Sequence, residues 1–128
     1  MPWEFEPDRP IYLQLMEHIK MKIVSGEYAP GARLASVREL AAEAAVNPNT
    51  MQKAMTELER SGLVFAQRTS GRFITEDGEL IKKLRLETAR AEAADFLTRL
   101  RGMGFSAAEA AELLLAVAPP EGAEEADC

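Results

Sequence analysis

The sequence predicts a mostly helical α+β fold: three helices, a β-hairpin, then two further helices. Three observations predict it. Apolar residues recur at helical spacing in five stretches. The second and third of these stretches are separated by a turn of only about three or four residues. Directly after the third come two short strand-like runs around a polar, glycine-bearing tip.

The first helix comes after a Pro-bearing arm. Tyr12, Leu15, Met16, Ile19 and Ile23 form one apolar stripe from about Pro10 to about Val24, and Ser25-Gly26 stops it. Ala29-Pro30-Gly31-Ala32 has proline and glycine at the centre of a type II turn, and Arg33-Leu34 is a very short extended piece. Ser36-Val37-Arg38-Glu39 reads as a capping box; its helix carries Val37, Leu40, Ala41 and Ala44 on one face. After Ala45-Val46, Asn47 suits a cap and Pro48 the first helical position. Met51, Ala54, Met55 and Leu58 are the buried stripe of that third helix, and Ser61-Gly62 ends it.

Leu63–Gln67 and Arg72–Thr75 are the strands of a hairpin with Arg68–Gly71 between them. A hairpin packed behind a helix-turn-helix is a wing, so the first part reads as a winged helix-turn-helix over residues 1–77. Glu79 to Arg101 reads as one long helix with a Phe96, Leu97, Leu100 cluster. Gly102–Phe105 breaks it, and Ser106–Glu109 is a second capping box for a helix to about Val117. Residues 78–118 are thus a two-helix region, and the acidic tail at 119–128 is expected to be disordered.

Composition narrows the function. No run nears the ~18 apolar residues of a membrane span, and the acidic start has no signal-peptide character, so a cytoplasmic protein is expected. Cys128 is the only cysteine, a terminal thiol expected to be a frayed end, and His18 is the only histidine. No metal site, cofactor or His-based triad is expected from such a set. His18 reads as a partly exposed residue of the first helix, and Trp3 as a pin of the arm, either to its own core or to a partner subunit.

Net charge is −6, but the charge is uneven. Residues 77–128 hold six basic against eleven acidic side chains, whereas residues 33–72 hold six basic against four acidic, a local excess of +2. Nucleic-acid binding needs a local basic face, not a basic protein. Opposite the buried stripe, the third helix shows Asn49, Gln52, Lys53, Thr56 and Arg60. Amides can pair with adenine edges, and lysine reaches guanine or phosphate; helix N-terminal residues are those that meet bases. Asn47 has two readings, cap or phosphate ligand, and so has Thr50, phosphate donor or local backbone bond. Arg38, in the first turn of the second helix, opposes the helix dipole, a conflict that a phosphate would relieve. Arg68, Thr69, Gly71 and Arg72 stand at the wing tip, where charge and backbone can approach a groove.

These runs together resemble the GntR family DNA-binding domain. The resemblance is carried by Pro10–Leu15, Ser25-Gly26, Pro30–Leu34, Ser36–Ala41 and Leu58–Val64, and the run Val46–Ala54 looks like the YtrA subfamily. It covers about residues 10–75. It implies a bacterial transcription regulator with DNA contacts at Arg38, at Asn47, Asn49, Thr50, Gln52 and Lys53, and at Thr69, Gly71 and Arg72. Some members carry arginines where this chain has Pro48 and Gln52, and many have Gly-x-Gly where it has Thr69-Ser70-Gly71, so their base preferences do not transfer.

The short helical tail also resembles the YtrA type, where it is a dimerisation element. An apolar face bearing Leu84, Phe96, Leu97, Leu100 and Leu114 is expected to be covered by a second copy. The expected partner is double-stranded operator DNA, bound by a homodimer on an inverted repeat, most simply as a repressor. Room is left for an unidentified small-molecule effector at the dimer interface. The alternative is a winged-helix protein-interaction module without DNA binding, suggested by Met103-Gly104-Phe105. An enzyme is not expected, since no phosphate loop, metal spacing or nucleophile–base pair is present.

Overall fold

A computed structural model describes residues 3–120. The elements are α1 (Ile11–Val24), α2 (Val37–Ala44), α3 (Pro48–Arg60), β1 (Val64–Gln67), β2 (Gly71–Ile74), α4 (Gly78–Gly102) and α5 (Ala107–Val117). This is the mostly helical α+β order that the apolar spacing predicts. The chain divides into two compact units, one up to Thr88 and one from Ala89.

The core of the first unit is built from the stripes themselves. Leu15, Ile19 and Ile23 of α1, Leu40, Ala41 and Ala44 of α2, and Met51, Ala54, Met55 and Leu58 of α3 are all buried in one cluster. α3 is the central element, packed by α1, α2 and β1. Full burial of each large apolar side chain contributes about 1.5–3 kcal/mol, so α3 is fixed in rotation by four buried positions on one face. The arm before α1 is tied down by Gln14. Its Oε1 accepts from Glu6 N at 2.6 Å, and its Nε2 donates to Glu6 O at 2.9 Å and to Arg9 O at 3.0 Å. Trp3 packs on its own chain's core and stacks on the partly exposed His18, ring centres 5.3 Å apart, with Phe5 edge-on at 5.4 Å. Burial pulls the Lys22 ammonium down, but its bond to Glu27 and the nearby Tyr28 and Glu43 outweigh this and hold it above its ordinary range.

The Pro30-Gly31 turn closes with Ala32 N donating to Ala29 O at 3.0 Å, and Gly31 has φ +78°, the left-handed value this turn type requires. Arg33-Leu34, next along the chain, is more than a short extended piece. Arg33 stands opposite Phe73, and Leu34 N donates to Arg72 O at 2.8 Å, so the segment is a third rung on the edge of the wing. β1 and β2 are antiparallel, with Val64 opposite Ile74 and Gln67 opposite Gly71. β2 therefore starts at Gly71, one residue before the spacing suggests. Just past β2, Thr75 N still donates to Leu63 O at 2.9 Å, and the Thr75 hydroxyl accepts from Asp77 N at 3.0 Å.

α4 begins on Asp77, whose Oδ1 accepts from Glu79 N and Leu80 N. Its first turns do not leave the winged part: Ile81 and Leu84 are buried in the same core as α1 and α3. The change of secondary structure at residues 77–78 thus falls inside the first unit. In the second unit α4 ends with Gly104 at φ +98° and Phe105 N donating to Leu100 O at 3.1 Å. α5 starts on a full capping box of Ser106 and Glu109. Ala110 is the one buried residue of this unit among the described residues. Of the tail expected to be disordered, Pro119 and Pro120 are described, without regular structure; Cys128 and the rest of it lie outside the described residues.

Candidate nucleic-acid interface

The turn before α3 sets where its first residues stand. α2 ends at Ala45 with φ +60°, a left-handed value rare for a residue with a Cβ, and Val46 N returns to Ala41 O at 2.9 Å. Asn47 then caps α3, its Oδ1 accepting from Asn49 N at 2.7 Å. Of its two readings the geometry takes the cap. Pro48 occupies the first turn, where a missing N–H costs nothing.

With Met51, Ala54, Met55 and Leu58 buried, Asn49, Gln52, Lys53, Thr56 and Arg60 are exposed on the other flank. Thr50 is half-buried in the first turn. Several of these groups are held by neighbours. Gln52 Nε2 donates to Thr56 Oγ1 at 3.3 Å, and the Thr56 hydroxyl donates to Gln52 O at 2.9 Å. Lys53 Nζ lies 4.0 Å from the centre of the Tyr12 ring, an attraction of about 0.5–1 kcal/mol at an exposed site. Arg60 pairs with Glu57 at 2.9 Å.

Between the start of α2, α3 and the wing runs an open groove of about 710 Å³. Arg38, Gln52, Gly71 and Arg72 all line it, together with Arg33, Ser36 and Glu39. Residues up to 39 positions apart, Arg33 and Arg72, are thus brought to one channel. Arg68 and Thr69 are exposed at the wing tip, and Asn47 at the cap and Asn49, Thr50 and Lys53 on α3 lie outside the groove lining. The capping box of α2 is only half closed. Ser36 Oγ accepts from Glu39 N at 3.1 Å, but the Glu39 carboxylate takes the Ser36 hydroxyl at 3.2 Å rather than its backbone N–H.

Arg72 is not the free wing cation that its position suggests. Its Nε donates to Glu59 Oε1 of α3, and both side chains are half-buried. Among the described residues, by contrast, neither Arg33 nor Arg38 has a carboxylate within salt-bridge distance. Arg33 is the residue that sequence reasoning passed over. The signals were its place in the basic 33–72 stretch and in the Pro30–Leu34 run, neither of which says that its side chain meets the wing. Among the described residues no group of His, Cys, Asp or Glu is placed to hold a metal ion, and no helix is long and apolar enough to cross a membrane.

The expected dimer-face residues fall in two places. Leu84 belongs to the core of the first unit and is not presented to a partner. Phe96, Leu97 and Leu100 are half-buried and Leu114 is exposed, all in the second unit.

Comparison with known proteins adds independent findings. The profile of the family described as "Bacterial regulatory proteins, gntR family" matches residues 11–74. The chain is 37% identical over 109 residues to an uncharacterized HTH-type transcriptional regulator, YhcF of Bacillus subtilis, covering 85% of this chain and 90% of that one. It is 43% identical over 70 residues to the HTH-type transcriptional repressor YtrA of the same organism, covering 55% and 54%. Among solved structures, a GntR family transcriptional regulator from Listeria monocytogenes superposes with a TM-score of 0.80 at 33% identity, covering 89% of this chain and all of that one. The AraR DNA-binding domain in complex with operator ORX1 superposes with a TM-score of 0.54 at 25% identity, over 59% of this chain and 95% of that one.

Proposed function

The chain belongs to the GntR family of bacterial transcriptional regulators, and from that premise we propose that it is a repressor that binds an inverted-repeat operator as a homodimer. The observation that carries the DNA reading is the exposed polar flank of α3, fixed outward by a fully buried opposite face and set beside the wing groove. Docked in the major groove, Asn49 and Gln52 present amides to base edges, and Lys53 leaves the Tyr12 ring for guanine or phosphate. Asn47, with its Oδ1 engaged in capping, offers its amide nitrogen to the backbone, and Thr50 its hydroxyl. Arg38 meets a phosphate at the mouth of the groove, where a helix N-terminus also favours negative charge. Arg68 and Thr69 bring the wing tip to the backbone, and Gly71 lets it come close. Arg72 contributes through the guanidinium nitrogens that Glu59 does not hold.

The second unit supports the dimer. Leu114 is 53% exposed, Leu115 77% and Met103 68%, an apolar surface that a second copy would cover. Two such copies place their recognition helices on half-sites about one helical turn apart. An effector pocket, in this reading, forms only between the paired second units. A cytoplasmic site of action and the absence of catalysis go with it, and the repressor name of the YtrA relative supports the direction of regulation.

The test is fluorescence anisotropy with a duplex from the chain's own upstream region and a scrambled duplex of equal composition. Binding to the first at least about a thousandfold tighter at physiological salt is expected. Equal affinity for both would overturn the reading.

A further inference from the structure

We infer that Arg33 is a backbone-phosphate ligand, a contact that rests on the operator reading above but is made by a residue which that reading does not use. Three observations converge on it. Its backbone is fixed: Arg33 pairs opposite Phe73 and Leu34 N bonds Arg72 O at 2.8 Å, so the residue belongs to the wing sheet although it lies about forty positions upstream. Its side chain is directed by the wing. A Cβ on Gly71 would stand 3.3 Å from Arg33 Nε and 3.4 Å from its Nη2, so the guanidinium lies over the wing backbone at the glycine. Its charge is uncompensated, with no carboxylate in salt-bridge distance among the described residues.

The charge of the groove gives the contact its place. Arg72, the wing arginine, is neutralised by Glu59, and Glu39 partly offsets Arg38 on the α2 side. The positive charge on the wing side of the groove is therefore that of Arg33. A guanidinium with five donors in a fixed fork suits two oxygens of one phosphate, and Gly71 lets that phosphate approach without meeting a side chain. The family-like wing position is thus occupied by a structural ion pair, and the groove takes its charge from a residue before α2.

The experiment is a salt titration of wild type, Arg33→Gln and Arg33→Lys, from about 50 to about 200 mM, on the upstream duplex and the scrambled duplex. Loss of one phosphate contact removes about 0.9 from the slope of log affinity against log salt, and about fivefold in affinity near 0.15 M. Arg33→Gln is expected to show both losses equally on the two duplexes, with an unchanged melting temperature because the residue is exposed; Arg33→Lys keeps the slope. An unchanged slope in Arg33→Gln, or a loss confined to the upstream duplex, overturns the assignment while leaving the operator reading in place. Wild type that binds neither duplex at the lowest salt overturns both.

Discussion

The two units of this chain solve the same problem differently. Up to Thr88, every helix and both strands send apolar side chains into one core, and even the start of a helix that belongs mostly to the other unit joins it through Ile81 and Leu84. From Ala89 onward the leucines are as frequent, yet Ala110 alone is buried among the described residues and Leu113, Leu114, Leu115 and Val117 face outward. The contrast teaches that apolar content alone does not make a core. In the first unit three helices and a sheet surround α3; in the second, two helices leave apolar faces with nothing of their own unit to cover them. The first unit therefore closes its own core, whereas the second leaves apolar surface exposed, which the proposed dimer would cover.

The largest expected effect lies in the first unit. Met55→Ala removes a fully buried side chain of α3 and should lower stability by about 2–5 kcal/mol in a urea melt of the full chain; a loss under about 1 kcal/mol would mean that the core around α3 can collapse. Next is the second unit. Leu114→Asp should leave the melt of the first unit unchanged but shift sedimentation velocity to the monomer, and weaken binding to a two-half-site duplex about a hundredfold. Unchanged sedimentation would break the contrast between the units. Gly71→Ala, at φ +104° and against Arg33, should cost about 1–2 kcal/mol by thermal melting. An unstrained alanine there would show that the wing adjusts freely.

Two smaller effects sharpen the comparison. Ala45→Gly relieves the left-handed turn between α2 and α3, less the entropy that glycine adds to the unfolded chain, and should stabilise the first unit by up to about 1 kcal/mol. In the second unit, the Ser106 backbone N–H and then its hydroxyl hold the Glu109 carboxyl below its ordinary value of 4.5. A carboxyl lowered in this way contributes fully above that value, and its contribution is lost as pH falls through the folded value. Helical circular dichroism should therefore drop slightly on acidification, and Glu109→Gln should remove that part of the drop.

What was legible in the sequence was what local chemistry decides. The α1 and α3 stripes, the Pro30-Gly31 turn, the Asn47 cap and the Ser106 capping box are set by neighbours within a few residues, and the structure reproduces them nearly position by position. What escaped was decided across the fold. Glu59 reaches Arg72 thirteen positions on, Tyr12 takes Lys53, and Arg33 joins a strand that begins at Gly71. Leu84 has the spacing of a helix face but not the address of the core that face meets. No periodicity reports such pairings, because they depend on how separate elements are brought together.

The central claim is that the outward flank of α3 reads base sequence. In vitro selection from a random duplex library with wild type and Gln52→Ala tests it most directly, one good amide pair being worth about 1–3 kcal/mol of discrimination. The account predicts that the substituted protein still enriches a symmetric site but loses preference at one base pair in each half. Enrichment of the same sequence by both proteins, at every position, would contradict it.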